Sequence, residues 1–158
     1  NPPHPPAAGR ASNADRLAML NLAIAGEPRF QALTIEFERP GRSYTIDTIL
    51  ALRMLHPGIG FVFIIGADTL PELHTWHRPL ELLELVRIVT LARPGHVPES
   101  AELHLPPPWP GKLLADVRTG SPLDVSSRDI RAGIAAGRPV PLVPEPVMRY
   151  IQEPHLFR

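Results

Sequence analysis

The stretch that decides the fold is FVFIIGAD, residues 61–68. Its first five residues are all apolar, and each is aromatic or β-branched. Glycines at positions 60 and 66 bound the run. A short continuous apolar run of this kind is typical of a strand covered on both faces in a parallel sheet. We therefore expect a buried strand that delivers Gly66, Ala67 and Asp68 at its carboxyl end.

Helical and strand patterns alternate on both sides of this stretch. The expected elements are, in chain order, a helix from Ser12 or Asn13 to 25, a strand at 33–37, a helix at 45–57, the strand at 61–65, a helix at 80–86, strands at 88–92 and 113–117, and helices at 127–136 and 147–152. Such alternation predicts an α/β fold with a mostly parallel, doubly wound sheet. Ligands of such folds bind beyond the carboxyl ends of the strands.

The composition restricts the class of protein and of partner. A length of 158 residues with 44% hydrophobic content suits one domain around one core. Sixteen basic and sixteen acidic residues cancel, which leaves no overall field for nucleic acid or an anionic membrane. The chain has no cysteine, and its longest apolar run is too short to cross a bilayer. We expect a cytoplasmic protein, with homo-oligomerisation left open.

The segment after the strand carries the most informative side chains. Gly66 allows a ligand to approach the backbone, Asp68 can accept hydrogen bonds, and Trp76 offers a flat face to a π-system. Taken singly, a capping Asp and a core Trp are the commoner roles. Their occurrence together on one segment favours a binding site.

Two predicted helix starts offer sites for anions. The segment RSYTIDT at 42–48 leaves backbone N–H groups free for a carboxylate or phosphate, although simple N-capping by Ser43 or Thr45 is the commoner explanation of such a pattern. The segment VSSRDIR at 125–131 adds two serines and two arginines to a helix start, which suits a polyphosphate. A capped surface helix with solvated arginines is the alternative there.

Other chemistries have little support. His74 and His77 have the spacing of neighbours on a helix, but they flank Trp76 in what we expect to be a loop. We therefore predict no metal bound by the protein itself. A Ser-His-Asp hydrolase is disfavoured because no Gly-x-Ser-x-Gly elbow occurs.

Eight short segments together resemble bacterial nicotinate-nucleotide adenylyltransferases. They are PPH at 2–4, RLAML at 16–20, SYTIDT at 43–48, IIGAD at 64–68, TWH at 75–77, ARPG at 92–95, SS at 126–127 with IR at 130–131, and VPEPV at 143–147. Several of them are common by chance, whereas the joint match is highly specific. The resemblance implies a Rossmann-like nucleotidyltransferase fold. It also implies adenylyl transfer from ATP, with Mg²⁺, to nicotinate mononucleotide, a step of NAD biosynthesis that yields nicotinate adenine dinucleotide and pyrophosphate.

The resemblance assigns the pyridine half of the site to residues on three segments. Backbone groups of Tyr44 and Thr45 would bind the pyridine carboxylate, and Trp76 would stack on the pyridine ring. Gly66 and Asp68 would line the dinucleotide site. These assignments agree with the helix start and the strand end read from the residues alone.

The resemblance assigns the ATP phosphates to the serine-rich helix start. Ser126, Ser127 and Arg131 would form the clamp, and Arg93 of the Arg-Pro-Gly turn would lie near the nucleotide. Arg128 stands where the family has a small hydroxyl residue, and Pro5 replaces a basic residue after His4. Both departures alter charge near the expected phosphate site.

The resemblance also implies a segment that these residues do not contain. The family opens with a strand, a glycine-rich turn and a His-x-Gly-His element, whose histidines meet the ATP phosphates. We find no such element, and the opening NPPHPP reads as the middle of a loop. We therefore expect residues 1–158 to be a single nucleotidyltransferase domain without its first strand unit, and a weak or inactive catalyst by itself.

Two alternatives stay open. One is a related adenylyltransferase that acts on another phosphate acceptor, such as pantetheine phosphate or nicotinamide mononucleotide. The Ser-Tyr-Thr and Thr-Trp-His segments argue against it. The other is a nucleotide-binding module without catalytic activity, which the absence of the histidine element makes conceivable.

Overall fold

The computed structural model describes residues 11–92, 99, 102–119, 127–140, 142–153, 156 and 157. The helices and strands in this part are α1 (Asn13–Ile24), α2 (Thr45–Leu55), β1 (Val62–Gly66), a 3₁₀ helix (Pro71–Thr75), α3 (Pro79–Leu85), β2 (Arg87–Leu91), α4 (Trp109–Ala115), β3 (Val117–Arg118), α5 (Ser127–Ala135) and α6 (Glu145–Gln152). Contacts group the chain into two compact units. The first comprises residues 1–42 and 125–158, and the second comprises Ser43–Asp124.

The second unit contains a sheet of three parallel strands in the order β1, β2, β3. Ile64 lies opposite Val89 in the first pair, and Thr90 lies opposite Val117 in the second. Helix α3 connects β1 to β2, and α4 precedes β3. The predicted parallel α/β architecture is therefore confirmed.

The core of the second unit lies on one face of this sheet. Its buried apolar side chains come from β1 and β2, from α2, α3 and α4, and from the segments between these elements. They are Ile46, Ile49, Ile65, Leu70, Leu73, Leu82, Leu83, Val86, Ile88, Leu103 and Leu113. On the other face, Val62 is 54% exposed and Ile64 is 60% exposed. In the described part of the chain, strand β1 is therefore covered on one face only, and the prediction that it is covered on both faces is wrong.

The first unit is held by contacts between α1 and α6. Helix α1 begins with a capping box, in which the Ser12 hydroxyl accepts a hydrogen bond from the Asp15 N–H and the Asp15 carboxylate accepts one from the Ser12 N–H. The Tyr150 hydroxyl on α6 donates to Asp15 Oδ1 at 2.9 Å. One carboxylate thus starts α1 and ties it to α6.

Two predicted strands are wrong. No strand forms at 33–37, where residues 34–37 make a turn in which the Phe37 N–H donates to the Thr34 carbonyl at 2.7 Å. Residues 113–115 end helix α4, and only Val117 and Arg118 pair as a strand. Pro110 favours the first turn of a helix. Leu113 is buried on that helix, so its apolar side chain does not require the predicted strand. The other predicted elements are confirmed within one or two residues.

Candidate functional site

The carboxyl end of β1 turns sharply at Gly66. The Thr69 N–H donates to the Gly66 carbonyl at 3.0 Å, and the buried Ala67 donates its N–H to the Leu91 carbonyl at 3.1 Å. A Cβ added to Gly66 would lie 2.6 Å from Asp68 Oδ1. The exposed Asp68 carboxylate therefore folds back over Gly66, and a residue without a side chain is needed beneath it.

Trp76 follows this turn through the 3₁₀ helix. The fully buried Leu70 and Leu73 anchor that helix, and the Trp76 N–H donates to the Leu73 carbonyl at 3.2 Å. The Trp76 ring meets the Phe63 ring edge-to-face, with centroids 6.0 Å apart and planes at 70°. Trp76 is only half-buried, so it combines core packing with an accessible surface.

The start of α2 lies in the same unit. Tyr44 is the N-cap residue, and its side chain makes no capping hydrogen bond. The Tyr44 carbonyl accepts hydrogen bonds from the N–H groups of Asp47 and Thr48, at 3.1 and 3.3 Å. The buried Ile46 fixes this first turn against the core.

An aromatic stack joins the start of α2 to the segment that carries Trp76. The Tyr44 and His77 rings are stacked, with centroids 4.3 Å apart and planes at 29°. The predicted residues of the pyridine half therefore cluster in one unit, around the carboxyl end of β1. Sequence reasoning missed the ring contacts of Phe63 and His77, although His77 belongs to the Thr-Trp-His segment.

The residues assigned to ATP are described only in part. Arg93 and Ser126 lie outside the described residues. Ser127 is the first residue of α5, as predicted, and Arg131 is exposed one turn later on that helix. No group of three or more His, Asp or Glu side chains in the described part of the chain converges as a metal site.

A cleft of about 1030 Å³ opens at the opposite, amino-terminal end of the strands. Phe61, Arg87, Trp109 and Asp116 are among its lining residues. The Arg87 guanidinium donates to both Asp116 oxygens, at 2.7 and 2.5 Å, and this pairing holds the pKa of the Asp116 carboxyl below its usual value. Arg87 and Asp116 thus neutralise each other in the lining of this cleft.

No helix in the described part of the chain has both the length and the apolar character that a membrane span requires.

Comparison with known proteins places these features in a family. The family model described as cytidylyltransferase-like matches residues 1–133. A probable nicotinate-nucleotide adenylyltransferase of Geobacillus thermodenitrificans is 43% identical over 99% of this chain and 68% of its own length. One of Halalkalibacterium halodurans is 42% identical over 99% of this chain and 72% of its own length.

The solved structures agree on the fold. The nicotinic acid mononucleotide adenylyltransferase of Plasmodium falciparum, complexed with NaAD, superposes with a TM-score of 0.70 at 16% identity, covering 93% of this chain and 75% of that one. At this identity the likeness concerns the fold alone, and it confirms the predicted Rossmann-like nucleotidyltransferase fold. Given the bacterial relatives and the family match over most of its length, the chain belongs to the nicotinate-nucleotide adenylyltransferases of the cytidylyltransferase-like family.

Proposed function

We propose that the protein transfers the adenylyl group of ATP to nicotinate mononucleotide, giving nicotinate adenine dinucleotide and pyrophosphate in NAD biosynthesis. The observation that carries this proposal is the identity above 40% with relatives named for this activity. The residues after β1 and at the start of α2 support it. An aromatic side chain suits a pyridine ring, and the N–H groups of a helix start suit the carboxylate on that ring.

The pyridine half of the substrate fits the second unit. We assign the ring to the accessible surface of Trp76, whose edge contact with Phe63 fixes the indole plane. We assign the carboxylate to the backbone N–H groups at Tyr44 and Thr45, at the start of α2, where the Tyr44 side chain makes no capping hydrogen bond. A negative charge is stabilised at that helix end, which favours the acid over its uncharged amide.

The nucleotide half of the substrate is assigned to residues of both units. In this proposal the Gly66 turn lets the ligand approach the backbone, and the Asp68 carboxylate accepts hydrogen bonds from ligand hydroxyls. Ser126, Ser127 and Arg131 clamp the ATP phosphates, with Arg93 nearby. Mg²⁺ enters as the complex with ATP and is part of the substrate.

The reaction is an in-line displacement at the α-phosphorus of ATP. The phosphate oxygen of the mononucleotide forms the new P–O bond as the bond to pyrophosphate breaks, and no covalent enzyme intermediate is needed. The protein contributes positioning and charge stabilisation. We propose that the 158 residues by themselves are a weak or inactive catalyst that still binds the pyridine substrate.

Cytoplasmic location remains part of the proposal, since ATP and the mononucleotide are cytoplasmic metabolites. The number of subunits in the active protein is open to direct measurement.

The experiment mixes ATP, Mg²⁺ and nicotinate mononucleotide with the 158-residue chain and, in parallel, with the full product of its gene. Pyrophosphate release and the mass of the dinucleotide are measured. We expect turnover by the full product and little by the chain alone. Binding of ATP without dinucleotide formation by either protein would favour the nucleotide-binding module instead. Faster turnover with another phosphate acceptor would favour the related adenylyltransferase.

A further inference from the structure

Two histidines outside the proposed substrate site meet on the surface of the second unit. The rings of His74 and His104 have centroids 5.1 Å apart and planes at 81°. Both side chains are exposed. His74 lies in the 3₁₀ helix, and His104 lies thirty residues later, so the fold alone brings them together.

One ring makes the backbone hydrogen bond that metal-binding histidines commonly make. His74 Nδ1 lies 2.8 Å from the Pro71 carbonyl oxygen. A carbonyl oxygen only accepts, so Nδ1 of a neutral ring carries the hydrogen and donates it. Nε2 then keeps its lone pair and faces away from the backbone. Histidines that ligate metals commonly make this hydrogen bond, because it fixes both the tautomer and the orientation of the ring.

The backbone beneath both rings is fixed by the core. Leu73 and Leu103, the residues immediately before the two histidines, are both buried in the same hydrophobic cluster. The Thr75 hydroxyl donates to the Glu72 carbonyl at 2.7 Å, and the Leu105 N–H donates to the Leu103 carbonyl at 2.9 Å. Little conformational entropy is therefore lost when a ligand holds the two rings in place.

The separation of the rings matches a shared ion. Two imidazoles on one tetrahedral ion, with metal–nitrogen bonds of about 2.0–2.1 Å, have centroids about 5 Å apart. We propose that His74 and His104 are the two protein ligands of a divalent transition-metal site, with water completing the coordination. Imidazole ligands suit Zn²⁺, Ni²⁺ and Cu²⁺. This site goes beyond the proposed adenylyl transfer and does not depend on it.

Calorimetric titration of the tag-free 158-residue chain with ZnCl₂ tests the site. We expect saturable binding of Zn²⁺. Loss of a group that only hydrogen-bonds to a metal ligand already lowers metal affinity about 10-fold, so His74→Ala and His104→Ala should each lower the Zn²⁺ affinity by at least that much. His56→Ala is the matched control, because His56 is also exposed and also has an edge contact with an aromatic ring, Phe61. Its affinity should equal that of the original chain.

Nuclear magnetic resonance of the imidazole groups separates a metal site from a simple ring contact. Zn²⁺ should shift the signals of His74 and His104 together and leave those of His56 in place, in a chain shown to be folded by its amide spectrum. The proposal is overturned if Zn²⁺ shifts neither ring, or if either single variant binds as tightly as the original chain. It is equally overturned if the double variant His74→Ala/His104→Ala retains the binding.

Discussion

Trp76 is the residue on which recognition of the substrate ring depends in this account. Stacking of a base on an aromatic side chain contributes about 1–3 kcal/mol, and about 1.4 kcal/mol corresponds to a tenfold change in affinity. We expect Trp76→Ala to weaken binding of nicotinate mononucleotide about 10-fold or more. Calorimetry measures this, with Trp109→Phe as the control for loss of an indole elsewhere. Equal affinities of the two variants would contradict the assignment.

Gly66 tests whether the position of Asp68 matters. The Cβ of Gly66→Ala would lie 2.6 Å from Asp68 Oδ1, so the carboxylate must move, while the end of a flexible side chain can move at little cost in stability. We expect Gly66→Ala to weaken nucleotide binding with a nearly unchanged free energy of unfolding. Gly60→Ala is the control, since a Cβ there meets nothing within 4 Å. Unchanged binding in Gly66→Ala would show that Asp68 does not contact the ligand.

The position of a single residue could be predicted where the residues adjacent to it in sequence determine it. Gly66 and Asp68 lie at the end of β1 as predicted, because the apolar run fixes where the strand stops. The Tyr44–His77 and His74–His104 ring contacts were not predicted, because each joins residues about thirty positions apart. The roles assigned to the substrate-binding residues remain predictions.

At the scale of elements, the start of α1 depends on Ser12. Its hydroxyl accepts from the Asp15 N–H at 3.1 Å and donates to Asp15 Oδ2 at 2.6 Å. Loss of such a cap costs about 0.5–2 kcal/mol. We expect Ser12→Ala to lower the free energy of unfolding of the first unit by this amount, and Ser12→Asn to retain most of it. Urea denaturation followed by circular dichroism measures both, and equal losses would contradict the capping role.

The ion pair between Arg87 on β2 and Asp116, the residue before β3, predicts that the stability of the protein depends on pH. Arg87 holds the pKa of the Asp116 carboxyl below its ordinary value of about 3.9. A lowered pKa in the folded state adds stability above that ordinary value, and this stability is lost as the pH falls from there through the folded pKa. We expect Asp116→Asn to be less stable than the original chain at pH 7.

The two chains should converge in stability as the pH falls below about 4. Denaturant titrations at a series of pH values measure this, and Arg87→Met should give the same convergence because it removes the partner. A constant difference between Asp116→Asn and the original chain across the series would show that the ion pair does not act through this titration.

Helices and strands could be predicted where the spacing of apolar residues and the residues at the boundaries indicate the same element. Thr45 to Leu55 has a helical apolar spacing and ends before Pro57, and α2 occupies that range. Residues 113–117 were ambiguous, because five residues with four apolar side chains fit a strand or the end of a helix equally well. Burial of Leu113 decided for the helix, and this tertiary contact is not visible in a local pattern.

At the scale of the whole molecule, the family was recognisable because short segments recur in a fixed order along the entire chain. The chain covers 68–80% of the length of several bacterial relatives that it matches. That it forms a single domain remains a prediction, since contacts divide it into two compact units. The residues predicted to bind the pyridine half of the substrate all lie in the second of these units.

The central claim is that the end of β1 and the start of α2 recognise an acidic pyridine nucleotide. Calorimetric titration of the 158-residue chain with nicotinate mononucleotide and with its nicotinamide counterpart tests it most directly. The account predicts binding of the acid, weaker or no binding of the amide, and loss of the acid's binding in Trp76→Ala. Equal binding of both compounds, or binding of the acid that survives Trp76→Ala, would contradict it.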